Sequence, residues 1–480
     1  MHGGTLRWTW RGGARSIGIT TVAAAGLALG GCAHFSKDGG MTLVADQTGS
    51  VLGTPAVKIR DEADAAAAKA RVGSLLARPL TASGAVEIAL LNNRALQAAY
   101  NDLGVSEADL VQASLPPAPT FSLVHLTGAE LEVERLVTQN ILALLTLPRR
   151  REIAQDTFKV AQARAIEATL ATAAEARRAY YRAVAAGQTV KFLEQSRAAA
   201  DAVSELAKKL GETGALPKLD QAREHAFYAE VSGQLAVARL KQRGEREKLN
   251  RVLGLWGGEL VYRLPDKLQA LPPKPRTSAD VETEAVTSRI DLQIARMELA
   301  ALSKEYGLTH ALRFIDMLEA SGVSRNEIKS GERTPRNGYE LSLQIPIYDF
   351  GEVKTKRAEE TYLRAVNLLM DKAVNVRADA RQSYQVYRGA YDIARYYDKE
   401  ILPLREIISE QTLLNYNGML SDLFGLLTDA RDRISANVQS IDAKRDFWLA
   451  DVDLHAAIVG GGGMSTVGGG QMQRTSAQND

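Results

Sequence analysis

In residues 338–351, GYELSLQIPIYDFG, apolar and polar positions alternate. Tyr339, Leu341, Leu343, Ile345 and Ile347 are apolar, and Glu340, Ser342 and Gln344 between them are polar. A period of two places each set on its own face, so the stretch predicts a strand with one apolar face. Phe121 and Leu123, then Leu131 and Val133 set against Glu130, Glu132 and Glu134, alternate in the same way. They predict a hairpin turning near Gly128, and a further strand is expected near 311–323. Most of the remaining chain is helical in pattern. From Pro148 it is rich in Ala, Arg, Glu and Gln, with no Pro or Gly until Gly187, and the pattern runs on to about Leu210. That is ~64 residues, or roughly 95 Å of helix at 1.5 Å per residue.

The turn GETGALPKLD (211–220) follows, then a second helix to about Leu253 and a proline-rich linker at 264–277. The order then recurs: helix from about 280, strands, a helix over 352–415, the turn NYNGMLSD (415–422), and a helix to about Ile458. Pro403 inside the second long helix should remove a hydrogen bond and bend it. Upstream, 80–113 reads as helix with a break near LNNRAL, stopped by SLPPAPT (114–120). Fixed offsets support a duplication. Arg177, Tyr180, Gly214 and Leu216 match Arg381, Tyr384, Gly418 and Leu420, each 204 residues on. Ala89, Leu96, Gln97 and Ala99 match Ala285, Leu292, Gln293 and Ala295 at 196. The chain thus divides into residues 1–31, an N-terminal arm (32–79) expected to be mostly extended, repeats over 80–260 and 261–460, and a Gly-rich tail (461–480) expected to be disordered.

Composition narrows the functional classes. A net charge of +2 over 480 residues gives no argument for nucleic acid. HExxH, CxxC, P-loop and GxSxG motifs do not occur, so neither an enzyme nor a metal site nor a cofactor is indicated. His125 and His310 read as solvated or packed. The N-terminus carries Arg7, Arg11 and Arg15 before a short apolar stretch that ends in Leu29-Gly30-Gly31-Cys32. This resembles a lipoprotein signal peptide (1–31) with a lipobox. It implies cleavage before Cys32, the only cysteine, and a covalent lipid on that residue. Ala33 rather than Asp after the cysteine implies the outer membrane.

The apolar face of the 338–351 strand has two possible partners, a helical core or lipid. In lipid a strand can cross only within a closed barrel, and four strands are too few to close one. A lipid-facing sheet of this size therefore requires several copies of the chain. Helices near 95 Å fit no globular core and call for a coiled coil or a helical tube.

In order, spacing and duplication, residues 80–460 resemble the TolC-type outer-membrane factors (the outer membrane efflux protein family), and its lipidated members most closely. The carriers are AVEIALLNNRALQAAY (85–100), the LPP stop (115–117), LSLQIPIYDFG (341–351) leading into a long helix, the two Gly-x-Leu turns, and LNRVLGL (249–255). Asn93-Arg94 stands where the family usually has Asn-Pro. The resemblance implies a mainly α chain with a small β part, in a duplicated strand-strand-long-helix repeat. Three copies would form a 12-stranded outer-membrane β-barrel continued by a periplasmic α-helical barrel. The implied function is the exit channel of a tripartite efflux pump, passively conducting small molecules or metal ions from the periplasm to the exterior. The alternatives are a type I secretion duct and, outside the family, a lipid-anchored periplasmic coiled-coil scaffold without a pore. Implied partners are a homotrimer, a periplasmic adaptor, an inner-membrane pump of the resistance-nodulation-division type and outer-membrane lipid.

For site residues, the resemblance points to Gly214, Ala215, Leu216 and Pro217, and to Gly418, Met419, Leu420 and Ser421, as tips that dock the adaptor. Their other reading is plain helix-turn chemistry. Asp220, Phe424 and Leu427 fall where a periplasmic gate would lie, Asp220 reading equally as a solvated helix-start residue. Tyr339, Leu341, Leu343, Ile345 and Ile347 would face lipid, and Glu340, Ser342 and Gln344 a water-filled lumen. Arg149, Arg150 and Arg151 fall where barrel and tube would meet, as an anchor or as a solvated charge run.

Overall fold

The computed structural model describes residues 35–128, 131–277, 280–329, 332–418 and 420–462. Residues 1–34, with the expected signal peptide and Cys32, and Met419 and residues 463–480 of the tail lie outside the described residues. Eleven α-helices and four strands are defined among them. The first repeat follows α1 (Met41–Leu52) and α2 (Glu62–Leu76). It comprises α3 (Ala82–Asn92), α4 (Arg94–Ser114), β1 (Thr120–Thr127), β2 (Leu131–Asn140), α5 (Ile141–Glu212) and α6 (Lys218–Leu253). The second comprises α7 (Val281–Ser288), α8 (Ile290–Ala311), β3 (Met317–Lys329), β4 (Glu332–Gln344), α9 (Glu352–Tyr396), α10 (Leu402–Asn417) and α11 (Leu423–Val459). The chain forms two compact units.

The first unit comprises Met1–Gly40, Leu103–Ala161 and Met297–Asn367. Its centre is one antiparallel sheet in the order β1-β2-β3-β4. The first hairpin turns where the alternation places it, with Thr127 opposite Leu131. The second differs from expectation. β3 lies six residues beyond the expected start, and β4 begins at Glu332 rather than Gly338. β4 runs through Pro335 because it is an edge strand, where a proline needs no ladder partner for its missing N–H. β4 also ends at Gln344, so Ile345 and Ile347 lie beyond the strand. Pro346 stands between them, and the Ile347 amide turns back onto the Ile345 carbonyl at 2.9 Å.

The YDFG sequence then reverses the chain into α9. Phe350 and Gly351 both take positive φ (48° and 72°). A Cβ on Gly351 would meet the Arg313 carbonyl oxygen at 2.0 Å, so only glycine fits there. The Asp349 carboxylate accepts from the Gly351 and Val353 amides at 3.1 and 3.3 Å and caps the helix start.

The second unit comprises Met41–Asp102, Gln162–Arg296 and Leu368–Asp480. The N-terminal arm is mainly helical here, contrary to the extended expectation. Met41, Val44 and Thr48 are spaced to bury one side of α1, and Ala68 and Val72 one side of α2. Asp61 caps α2 by accepting from the Asp64 amide at 2.8 Å. Only the link between these helices is extended. Gln97 clamps it, donating to the Val57 carbonyl and accepting from the Ile59 amide, both at 3.0 Å.

One core gathers α7, α9 and α11 around Phe447, whose ring lies 5.5 Å from Tyr387 and 5.6 Å from Tyr391. Another joins α5, α6 and α11 through Leu193, Phe227, Val231, Leu427 and Ile434. The buried positions of α5 are largely alanine (Ala163, Ala173, Ala176, Ala179, Ala183), which lets neighbouring helices approach closely. α5 itself starts at Ile141, seven residues before the expected Pro148. Asn140 caps it by accepting from the Ala143 amide at 2.7 Å, and Pro148 is accommodated inside. At Pro403 the helix widens rather than ending. Tyr397–Ile401 form a π-turn in which the Leu402 amide bonds to the Tyr397 carbonyl, and Pro403 then sits in the first turn of α10.

Two helix breaks recur at the offset of 196. α3 ends at Asn93 (ψ 112°) and α7 at Arg289 (ψ 118°), 196 residues apart, each bonding its amide to an alanine carbonyl at the same offset (Ala89 and Ala285). Asn92 and Asn93 also donate side-chain bonds to the carbonyls of Gly254 (2.8 Å) and Val252 (2.9 Å). Two stretches that carried the family resemblance, LNNRAL and LNRVLGL, therefore touch. Gly254 takes φ 68°, and a Cβ on it would lie 2.6 Å from the Asn92 carbonyl oxygen. Gly254→Ala should cost about 2–4 kcal/mol, from the left-handed backbone and the clash together. Chemical denaturation should show the loss, while Gly233→Ala, in open space within α6, should cost nothing.

Candidate functional site

The strand register sorts every side chain of the sheet onto one of two faces, because directly opposed residues point the same way. One face carries Glu132, Glu134, Glu319, Glu327, Glu332 and Glu340, three cations (Arg325, Lys329 and Arg336), and Thr138, Ser321, Thr334, Ser342 and Gln344. Its charges are partly matched. Arg325 reaches Glu132 and Glu134 at 2.8 Å each, and the Thr138 and Ser321 hydroxyls meet at 2.9 Å.

The other face holds Phe121, Val137, Gly322 and Tyr339 in one row. Ala320 and Leu341 follow in the next row towards the helices, with Gln139 beside them, and Leu318 and Leu343 in the last. Tyr339 is 92% exposed, and Phe121, Leu123, Leu341 and Leu343 are exposed as well. The expected sorting of Tyr339, Leu341 and Leu343 from Glu340, Ser342 and Gln344 is thus found. Ile345 and Ile347 are exposed too but belong to the segment after the strand. Tyr348 and Phe350, also exposed, follow them. Exposed aromatic residues therefore precede and follow Leu341 and Leu343 along the chain, a feature the strand alternation alone did not single out.

At the first tip the chain turns through Gly214 (φ 75°), with the Ala215 amide bonded to the Leu210 carbonyl at 2.8 Å. Gln221 then donates to the Leu216 carbonyl at 2.9 Å. At the second, the Leu420 amide bonds to the Asn415 carbonyl at 2.8 Å, and Asp422 caps α11 through the Gly425 amide at 2.9 Å. The tips are not conformational copies. Gly418 has φ −81°, a value open to any residue, so the conformational need for glycine holds for Gly214 alone. The leucines differ as well: Leu420 is 82% exposed, whereas Leu216 is partly covered.

Of the three gate candidates, two are brought together through a residue that the sequence reading did not name. Arg223 pairs with Asp220 at 3.2 Å and places its guanidinium 5.6 Å from the centre of the Phe424 ring. Leu427 is a correction. It is 4% exposed inside the core shared by α5, α6 and α11, so it packs helices and cannot line an opening. Nearby on α6, Glu224 is 1% exposed and neither carboxylate oxygen has a hydrogen-bond partner among the described residues. Burial pushes its carboxyl above the ordinary value, and the charge of Arg431 opposes the shift. Such a group stabilises the fold fully below its unfolded value, and that contribution is lost as pH rises through the raised folded value. Glu224→Gln should therefore raise stability at neutral and alkaline pH by about 1–3 kcal/mol and flatten the decline with pH, read as Tm across a pH series.

Arg149 is paired with Glu152 at 2.9 Å, and Arg150 and Arg151 are exposed. His125 lies on β1 and His310 packs near the Tyr306 ring (6.2 Å). No metal-binding group of side chains occurs among the described residues, and none of their helices is long and apolar enough to cross a membrane.

A small two-faced antiparallel sheet joined to paired helices in a duplicated order is the fold of the TolC-type outer-membrane channels. Among solved structures the chain superposes on CusC, known for its conformational changes during folding and transmembrane channel formation (TM-score 0.67, 14% identity, covering 79% of this chain and 92% of that one). It superposes likewise on the outer membrane protein VceC of Vibrio cholerae (0.63, 13%, 83% and 97%). A third is the open state of the MtrE outer membrane channel of Neisseria gonorrhoeae (0.62, 15%, 78% and 88%). No family model matches the chain, and no curated protein matches it in sequence.

Proposed function

We propose that the protein is the outer-membrane exit channel of a tripartite efflux system, passively conducting small molecules or metal ions from the periplasm to the exterior. The observation that carries this reading is the sheet. Its register puts every carboxylate of the strands on one face and Phe121, Leu123, Tyr339, Leu341 and Leu343 on the other, and both edge strands are largely exposed among the described residues. Four strands cannot close, so three copies would complete a 12-stranded barrel with the charged face towards water. The helix pairs, rich in buried alanine, suit the lateral packing of a periplasmic helical tube. The scaffold alternative leaves the apolar rows without a role.

Gly214–Pro217 and Gly418–Ser421 would meet a periplasmic adaptor, with the exposed Leu420 as its main apolar contact. A pump of the resistance-nodulation-division type in the inner membrane would supply energy and choose the substrate. Asp220, Arg223 and Phe424 would narrow the periplasmic end. Cys32 would carry the lipid. Intact-protein mass should show acylation that Cys32→Ala abolishes, with the variant still inserted through its barrel; an unacylated native chain would contradict the anchor.

Leu341→Arg and Ser342→Arg test the faces directly. A cation facing lipid costs up to roughly 2–4 kcal/mol, falling towards the interfaces, whereas one facing the lumen stays hydrated. Heat-modifiable trimer on a semi-native gel should fall sharply for Leu341→Arg and persist for Ser342→Arg. Equal yields would mean that the two faces are wrongly assigned.

A further inference from the structure

The apolar face of the sheet changes character along the strands. From Leu343 to the row of Phe121 and Tyr339 it is mostly aliphatic and aromatic. One row further towards the turns, Arg135 stands between Leu123 and Ser324. Two rows beyond that, Arg333 stands opposite Ile328, and His125, Asn326 and Pro335 occupy the row between. Arg333 does not point away from Arg135. It folds back one row, donating from Nε and Nη2 to the Asn326 side-chain oxygen at 3.2 and 3.1 Å. Arg135 is exposed and has no ion-pair partner among the described residues. This face carries no carboxylate on any of the four strands, while every carboxylate of the sheet lies on the opposite face. The cations are therefore unmatched by sign on their own side, and the described strands supply no counter-charge there.

We infer that Arg135 and Arg333 form a binding surface for the phosphates of anionic lipid headgroups in the leaflet nearest the strand turns. This rests on the reading of the sheet as part of a lipid-facing barrel. Three observations converge on a lipid occupant. The first is position. Tyr339 and Phe121 form the aromatic row that commonly marks the membrane–water interface, and Arg135 follows one row on, roughly 7 Å along the strand. That distance lies within the headgroup layer of a bilayer, which adds about 5–7 Å on each side of the hydrocarbon. The second is charge complementarity, since a carboxylate-free patch with two guanidiniums matches an anion held at that depth. The third is geometry. Arginine binds phosphate through two parallel N–H groups, and Asn326 holds Arg333 towards its partner without neutralising it. A soluble anion would gain nothing from the adjacent aromatic and aliphatic rows, whereas a lipid would bury its chains on them.

The test uses the full chain, purified and reconstituted either in phosphatidylcholine alone or in phosphatidylcholine containing a diphosphorylated acyl-disaccharide lipid. Lipid retained after extraction is measured by native mass spectrometry, and conductance is recorded in both bilayers. The wild type should retain the diphosphorylated lipid in preference to phosphatidylcholine. Arg135→Gln with Arg333→Gln should lower that retention on the order of tenfold, as expected for losing two cations at a charged membrane surface. Conductance in phosphatidylcholine should be unchanged. Arg336→Gln, on the opposite face, should alter neither retention nor preference. Undiminished retention by the double variant, with normal conductance, would overturn this inference alone. A wild type that neither inserts nor conducts in either bilayer would instead overturn the barrel reading on which it rests.

Discussion

The structure turns on an unclosed sheet. β1 and β4 are both edge strands, so each leaves a row of backbone donors and acceptors without a strand partner among the described residues. Exposed edges of this length invite pairing with another copy, and natural proteins normally blunt or cover them. Here they are neither short nor covered. β4 runs for 13 residues, nearly all of them exposed. The same strands carry an apolar face on which Phe121, Leu123, Tyr339, Leu341 and Leu343 are exposed. A sheet with free edges and an uncovered apolar face is stable only if other copies pair with its edges and a non-aqueous phase meets that face. Both demands are satisfied by one arrangement, a barrel shared among chains in a membrane.

The facing of the sheet was legible in the sequence because the strand period of two is insensitive to where a strand ends. Tyr339, Leu341 and Leu343 fall on one face whether β4 starts at 332 or 338. The boundaries were less legible. Residues 332–337 carry no apolar alternation, and the edge position that lets β4 run through Pro335 is a tertiary fact. Ile345 and Ile347 continued the alternation past Pro346, where the backbone leaves the ladder. The N-terminal arm was misread for a related reason. α1 and α2 bury only a few residues each, too weak a pattern to stand out from a Gly- and Ala-rich context, and the clamp by Gln97 is visible only in three dimensions.

The tips show the limit of reasoning from a repeat. An offset of 204 aligns Gly214 with Gly418 and Leu216 with Leu420, yet the glycines differ in backbone and the leucines in exposure. Residue identity at a fixed offset preserved the place of the turn and not its conformation. The same alignment set Leu427 near an opening, although helical periodicity places it in a packed seam with Phe227 and Val231. Arg223 and Glu224 carried no sequence signal, because a charged residue on a long polar helix reads as solvated until its neighbours are known. By contrast the break at Asn93 and Arg289 survived duplication in backbone form although its side chains diverged. Helix direction there is set by the main chain and by the alanines it bonds to.

The central claim is that one chain supplies a third of a water-filled barrel. Single-channel recording on the purified full chain in a planar bilayer, with the copy number of the same preparation determined by mass, tests it most directly. The account predicts discrete conductance steps from a particle of three copies. A stable monomer, or a trimer that sits on the membrane and never conducts, would contradict it.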